Sequence, residues 1–366
     1  MIQKIYKINW LFIFIVIILA SIGFIALYSA ADSNFEPWAR KQIIRFCVFF
    51  FLLFFIALVD IRVWYKYCYH IFILSLLLLL SVEIIGTFGF GAKRWIKFFG
   101  LSIQPSELIK VGLILFLARY YHDLRFQSIG RFRFLLLPVL VISFPFLLIL
   151  IQPDLGTAIV YLFLGVIMMF LAGVRLWKFI LSSIAGLSLI PLIWNYMLHD
   201  YQKRRLISFI DPESDPLGTG YHLIQSKIAL GSGGIFGKGF LKGSQSYLDF
   251  LPEKQTDFIF TMIGEEFGFL GTIFIIILYM LMICICFYIA FRSFSNFGRL
   301  VSLGVATNLF INIFFNTSMV TGLMPVVGIP LPLLSYGGSA MLSVMISFGF
   351  LLNISAHSGQ KNLEYD

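Results

Sequence analysis

Charge is scarce in this chain. Of its 366 residues only 12% are Asp, Glu, Lys or Arg, while 60% are hydrophobic, and the mean hydropathy is +0.93. Soluble domains carry about twice that share of charge, so a water-soluble fold is excluded. Reactive side chains are few as well. The four cysteines, Cys47, Cys68, Cys284 and Cys286, lie in or beside apolar runs, which makes them small hydrophobes and excludes a disulfide framework. His70, His122, His199, His222 and His357 have no ligand spacing, so the sequence offers no zinc-type cluster. A nucleophile-elbow motif is missing, which leaves hydrolase chemistry without a basis. Lys and Arg outnumber Asp and Glu by 27 to 18, but they are scattered over separate loops, and that argues against a nucleic-acid partner. Internal repeats, coiled-coil heptads and a separable soluble segment are all lacking, so residues 1–366 read as a single membrane domain.

What the chain does contain is apolar runs of membrane-crossing length. An α-helix spans the hydrocarbon core with about 20 residues, and polar breaks divide the sequence into runs near Trp10–Ala30, Ile43–Val59, Tyr69–Ile85, Pro105–Tyr121, Leu135–Ile151, Leu155–Ala172, Trp177–Tyr196, Phe258–Phe291, Leu300–Gly322 and Leu333–Ile354. The expectation is an all-α polytopic bundle of about ten transmembrane helices. Uninterrupted leucine from Leu76 to Leu80 does not fit the alternation of a β-barrel. The apolar run after Lys4 and Lys7 is longer than the ~7–15 residues of a signal-peptide core, so it reads as a retained first span. With the N-terminus inside, Arg62 and Lys66, Arg119 to Arg133, Arg175 and Lys178, and Arg292 and Arg299 all fall in cytoplasmic loops. That satisfies the positive-inside rule and places both termini in the cytoplasm.

Three outward segments break the pattern. Gly86 to Gln104 carries Lys93, Arg94 and Lys97 around Trp95, against the bias that keeps short outside loops free of cations. Either an anionic ligand outside or lipid headgroups at the interface would account for them. A large extracytoplasmic loop, about residues 197–257, separates spans 7 and 8, and loops of this length are functional or disordered. Within it Tyr221 to Leu230 has helical spacing up to Gly231, and the glycine-rich GSGGIFGKGFLKG lacks phosphate-loop spacing, so it reads as flexible backbone over a cavity. The segment from Thr321, TGLMPVVGIPLPLLSYGGS, has no charge but three prolines. Broken backbone at membrane depth is tolerated where it lines a pocket.

The ionisable groups near the outer side form four sets. Glu107 and Lys110, three apart, suit a structural ion pair. Asp154 follows Pro153 at a helix start, where a cap competes with catalysis as its role. Lys203, Arg204 and Arg205 with Asp211, Glu213 and Asp215 open the long loop, where the acids are solvated. Asp257 closes that loop, followed by Glu265 and Glu266; Thr256 could cap the next helix and leave the Asp257 carboxylate for chemistry. One acid among outward cations beside a membrane-depth cavity suits deprotonation of a hydroxyl that displaces a phosphate leaving group.

At these residues the chain resembles the SEDS family (shape, elongation, division and sporulation proteins), and within it the RodA branch. The segments that carry the resemblance are KRW at Lys93, QPSELIK at Gln104, QPDLGTAI at Gln152, HDYQKRR at His199, DPESDPLGTGYH at Asp211, QSKIALGSGGIFGKG at Gln225, FLPEKQTDFIF at Phe250, EEFGFLG at Glu265 and MPVVGIPLPLLSYGGS at Met324. The resemblance implies a peptidoglycan glycosyltransferase that polymerises lipid II during cell elongation, by inverting transfer with release of undecaprenyl pyrophosphate. It assigns the essential aspartate of the TDFIF motif to Asp257, cavity or substrate-binding roles to Lys93, Arg94, Glu107, Lys110, Asp154 and Arg204, and the cavity rim to Ser335. It implies as partners a class B penicillin-binding protein transpeptidase and elongation proteins such as MreC and MreD, in the bacterial inner membrane with the active site facing the periplasm. A divalent cation, Mg or Mn, between pyrophosphate and carboxylate would suit the chemistry, although no dedicated ligand set is visible. The chain departs from many relatives at Gln255, where they carry histidine. A lipid II flippase and the division-specific paralogue, FtsW, are the competing readings.

Overall fold

The computed structural model describes residues 2–89, 92–98, 101–196, 203, 219–247 and 253–357. In chain order the helices are α1 (Ile2–Lys7), α2 (Trp10–Ala30), α3 (Ala39–Leu58), α4 (Ile61–Ile85), α5 (Pro105–Asp123), α6 (Phe132–Ile151), α7 (Leu155–Leu171), α8 (Leu176–Tyr196), α9 (Thr219–Ser232), α10 (Ser244–Tyr247), α11 (Ile259–Arg292), α12 (Asn296–Thr321) and α13 (Gly338–His357). Each apolar run of the sequence falls on one of these helices. Seven of them, α2, α3, α4, α6, α11, α12 and α13, are long and apolar enough to cross a membrane, and α7 and part of α8 are shorter apolar helices.

Burial sorts the bundle into centre and periphery. In the most apolar stretch of α13, 83% of residues are inside the protein, against 28% for α3 and for α4. Central α13 packs on α3, α5 and α12, while α5 also touches α4 and α7. The helices of the centre can carry polar residues because neighbouring helices, not lipid, satisfy them. Thus α12 places Asn308, Asn312 and Asn316 at four-residue spacing, all buried. The outer helices instead expose Phe51, Phe55, Leu74 and Leu77, the side chains that lipid tails would meet.

Three features depart from the sequence expectation. The segment 86–104 is not a simple loop but contains β1 (Thr87–Gly89), β2 (Ala92–Phe98) and β3 (Leu101–Ile103), paired antiparallel with Thr87 opposite Trp95 and Lys97 opposite Ser102. Short segments rich in glycine and cations hid this sheet from a hydropathy reading, since none of its strands is apolar throughout. The last span begins at Gly338 and not at Leu333. Leu333 has φ +68, outside the right-handed helical region, so no helix starts there.

The third departure is inside α11. Gly268 has φ 68 and ψ −162, a conformation open to glycine, and it kinks the helix. The break frees backbone groups that the glycine-rich segment 233–239 satisfies. Lys238 N donates to Glu265 O (3.0 Å), Gly239 N to Glu266 O (2.9 Å), and Phe269 N to Gly234 O (2.9 Å). That segment is therefore a hydrogen-bonded clasp on α11, where the sequence suggested flexible backbone. Side chains at 233 or 237 would strike the carbonyl oxygens of Gly264 or Glu266, which is why it is rich in glycine.

Candidate active site

A cavity of about 300 Å³ opens between β2, the starts of α5 and α7, the segment before α11 and the one before α13. Asp257 lines it, two residues before α11 begins. Phe258 occupies the cap position of that helix without a side-chain cap. Thr256 does not cap it either, because its hydroxyl donates to Glu253 O (3.3 Å) and Oε2 (3.2 Å). The half-buried Asp257 faces Gly328, whose φ is +73. A Cβ at that position would sit 3.3 Å from Asp257 Oδ2.

The Asp257 backbone is held by Asn316 of α12, and the two residues before it by the segment that leads into α13. Asn316 Nδ2 donates to Asp257 O (3.0 Å) and to Ile329 O (2.7 Å), and Ser335 Oγ donates to Thr256 O (2.6 Å) while accepting from Leu331 N (2.8 Å). Tyr336 N donates to Gln255 O (2.8 Å). From α3 the buried Gln42 donates through Nε2 to Ser335 O (2.9 Å). These bonds fix two proline- and glycine-rich segments against one another, so neither needs regular secondary structure to satisfy its backbone.

Asp154 lines the same cavity from the start of α7 and caps that helix. Its carboxylate accepts from Thr157 N (3.4 Å), Thr157 Oγ1 (2.9 Å) and Gln104 Nε2 (2.7 Å). The Arg94 Nη1 atom lies 3.8 Å from Asp154 Oδ1. Arg94 also donates through Nε to Gln152 O (3.1 Å) and through Nη2 to Pro153 O. The guanidinium is thereby fixed in orientation at the cavity wall, and it is the cation lining the cavity among the described residues. Asp154 is thus both helix cap and cavity carboxylate, so the two roles the sequence left open coincide.

Other expected site residues lie elsewhere. Lys93 points away from its neighbour Arg94, as adjacent strand residues do, and donates to Glu83 O and Ile84 O at the end of α4. Lys110 and Glu107 form a buried ion pair (2.8 Å) within α5 and are not part of the cavity wall, and Ser343 Oγ donates to Glu107 O (2.8 Å). Ser335 braces the backbone beneath the cavity and does not open onto its rim. Arg204, with Arg205, Asp211, Glu213 and Asp215, lies outside the described residues. The sequence reading missed Gln104, Glu253, Tyr336 and Ser339, which line the cavity. Glu253 sits at φ +56 and accepts from Gln255 Nε2 (3.1 Å). Gln255, the departure from the common histidine, therefore orders the turn leading to Asp257. The signal for these residues was their place inside QPSELIK, FLPEKQTDFIF and LLSYGGS. A polar residue in such a motif looks no different from a solvated one until the segments meet.

Three carboxylates, Asp154, Asp257 and Glu253, line this cavity. Among the described residues no group of three or more His, Cys, Asp or Glu is placed to hold a metal ion. The carboxylate of Asp154 is engaged by Arg94, Gln104 and Thr157, so the site does not fit a resident divalent cation held by protein ligands alone.

The likeness to known proteins covers nearly all of the chain. The family model FTSW_RODA_SPOVE, described as cell cycle protein, matches residues 7–360. Peptidoglycan glycosyltransferase MrdB of Escherichia coli (strain K12) is 40% identical over 347 residues, 94% of this chain and 92% of that protein. A solved structure described as a peptidoglycan synthase complex with coordinated polymerization and crosslinking superimposes with a TM-score of 0.83 at 30% identity, covering 96% of this chain and 99% of the other. The crystal structure of the Thermus thermophilus rod shape determining protein RodA gives a TM-score of 0.73 at 28% identity, over 96% of this chain and 98% of the other. With its helical bundle, its cavity carboxylates and a family match across almost its whole length, the chain belongs to the FtsW/RodA/SpoVE family of integral membrane proteins.

Proposed function

We propose that this chain is a peptidoglycan glycosyltransferase that polymerises lipid II into glycan strands during cell elongation, acting as one membrane domain with its active site on the periplasmic face. The observation that carries the reading is Asp257, held by Asn316 through its carbonyl, in a cavity that also holds a fixed guanidinium. In the reaction the Asp257 carboxylate takes the proton of the acceptor sugar's 4-hydroxyl. The hydroxyl oxygen attacks C1 of the donor sugar, the C1–O bond to the diphosphate breaks, and undecaprenyl pyrophosphate leaves with the electron pair, so C1 inverts. Arg94, fixed by the carbonyls of Gln152 and Pro153, supplies positive charge on the cavity wall where phosphate charge develops.

The test is polymerisation of lipid II by purified protein in detergent. Replacing the base with Asp257→Asn should lower the rate by about 10²–10⁴, the usual contribution of a general base, with unchanged thermal unfolding. Product of normal yield and length from that variant would remove the mechanism. The same assay separates polymerisation from lipid II flipping, because transport has no meaning in detergent. Depletion separates elongation from division: rounding cells support the first, and filamenting cells the division paralogue. The resemblance of the chain to a component of a synthase complex supports a class B penicillin-binding protein as the crosslinking partner, with MreC and MreD as further members of the assembly. We also assign both termini to the cytoplasm.

A further inference from the structure

A second cavity among the described residues is larger than the one with the acids. It encloses about 760 Å³ at the opposite end of α11, between the last turn of that helix, the start of α12, and the junction of α1 with α2. Three cations line it, Lys7, Arg292 and Arg299, and no Asp or Glu does among the described residues. None of the three has a salt bridge among the described residues. Three exposed cations with no counter-charge among the described lining residues give the cavity a positive potential that attracts an anion. The amino end of α12, capped by Ser295, adds partial positive charge beside it.

The surroundings identify the anion's carrier. Phe291 and Phe294 line the same cavity and are 77% and 65% exposed. Arg292 donates to Tyr288 Oη (2.6 Å), which leaves the guanidinium beside an aromatic ring at the end of the span. Cations next to exposed aromatics at helix ends match a phosphate head above acyl chains. We infer that this cavity binds the phosphate headgroup of an anionic phospholipid in the leaflet opposite the Asp257 cavity. The lipid ties the α1–α2 junction to the α11–α12 turn, two segments that meet here without a direct ion pair among the described residues. The site is independent of the polymerase reading, since it would exist whatever reaction occurs at Asp257.

Delipidated protein is titrated separately with phosphatidylglycerol, phosphatidylcholine and inorganic phosphate, and bound species are counted by native mass spectrometry. Phosphatidylglycerol should be retained over phosphatidylcholine. Removing one cation by Arg292→Ala should weaken that retention about fivefold, the effect of one surface cation on an anionic lipid, and Lys7→Ala/Arg292→Ala/Arg299→Ala should abolish the preference. The control Arg131→Ala/Arg133→Ala removes cations outside the cavity and should leave it intact. Equal loss in the control would show diffuse surface attraction and overturn the inference. Equal retention of both lipids, or saturable uptake of inorganic phosphate without lipid preference, would overturn it too.

Discussion

A single methyl group tests how closely the Asp257 carboxylate is confined. Gly328 has φ +73, and its absent side chain leaves room for Asp257 Oδ2 at 3.3 Å from where a Cβ would stand. The variant Gly328→Ala incurs about 1–2 kcal/mol of backbone strain and crowds the carboxylate. Polymerisation should fall about tenfold, the factor that ~1.4 kcal/mol of misplacement corresponds to, with thermal unfolding shifted only slightly. Full activity in Gly328→Ala would mean that the carboxylate is not held against this glycine. The ion pair in α5 gives a different result from the same kind of edit. Lys110 and Glu107 are both buried and bonded to one another. Lys110→Met strands a carboxylate and should cost about 3–5 kcal/mol, whereas the double variant Lys110→Met/Glu107→Gln removes both charges and should recover much of that loss. Equal melting temperatures for single and double variants would place the value of the pair outside stability.

Elements in this protein are completed by segments far away in sequence. Helix α11 breaks at Gly268, and the freed carbonyls and amides are satisfied by residues 233–239. The clasp is closed by charge as well, since Lys238 Nζ lies 2.7 Å from Glu265 Oε1, which also accepts from Gln245 N (2.9 Å). Gly268→Ala places a Cβ against Gly237 N and the Ile235 carbonyl. That variant should detach the clasp, seen as faster amide exchange at residues 233–239 with the rest of the bundle still protected. Uniform protection would show that the clasp does not depend on the kink. Helix identity was legible beforehand because a run of Ile, Leu and Phe in water-free surroundings has no other backbone solution. The sheet of residues 87–103 was not, because its pairing depends on which segments face one another rather than on any strand's own composition.

Across the whole molecule, the two ends of the bundle differ in chemistry. One end carries the carboxylate cavity and the other the cationic cavity, separated by the length of α11. If the first faces the periplasm, Lys242→Cys should react with a membrane-impermeant maleimide on intact cells and Arg299→Cys only after permeabilisation. Background labelling should be low, because Cys68 and Cys286 are buried while Cys47 and Cys284 are exposed on the sides of membrane-length helices. The reverse pattern would invert the topology and remove the periplasmic site. The sequence alone determined the membrane class, the apolar run at the heart of each long helix, and the acid at the loop–helix boundary, because hydropathy is a property of contiguous residues, although it misplaced helix starts such as those at Ile61 and Gly338. Only the tertiary structure decided which polar groups share a cavity. Arg94 and Asp154 meet Asp257 there, Glu107 and Lys110 close on each other inside α5, and Lys93 turns back onto α4, since partners come from segments up to hundreds of residues apart. Composition records the charges of such groups but not their neighbours, and in a low-dielectric interior the neighbours decide what a charge can do.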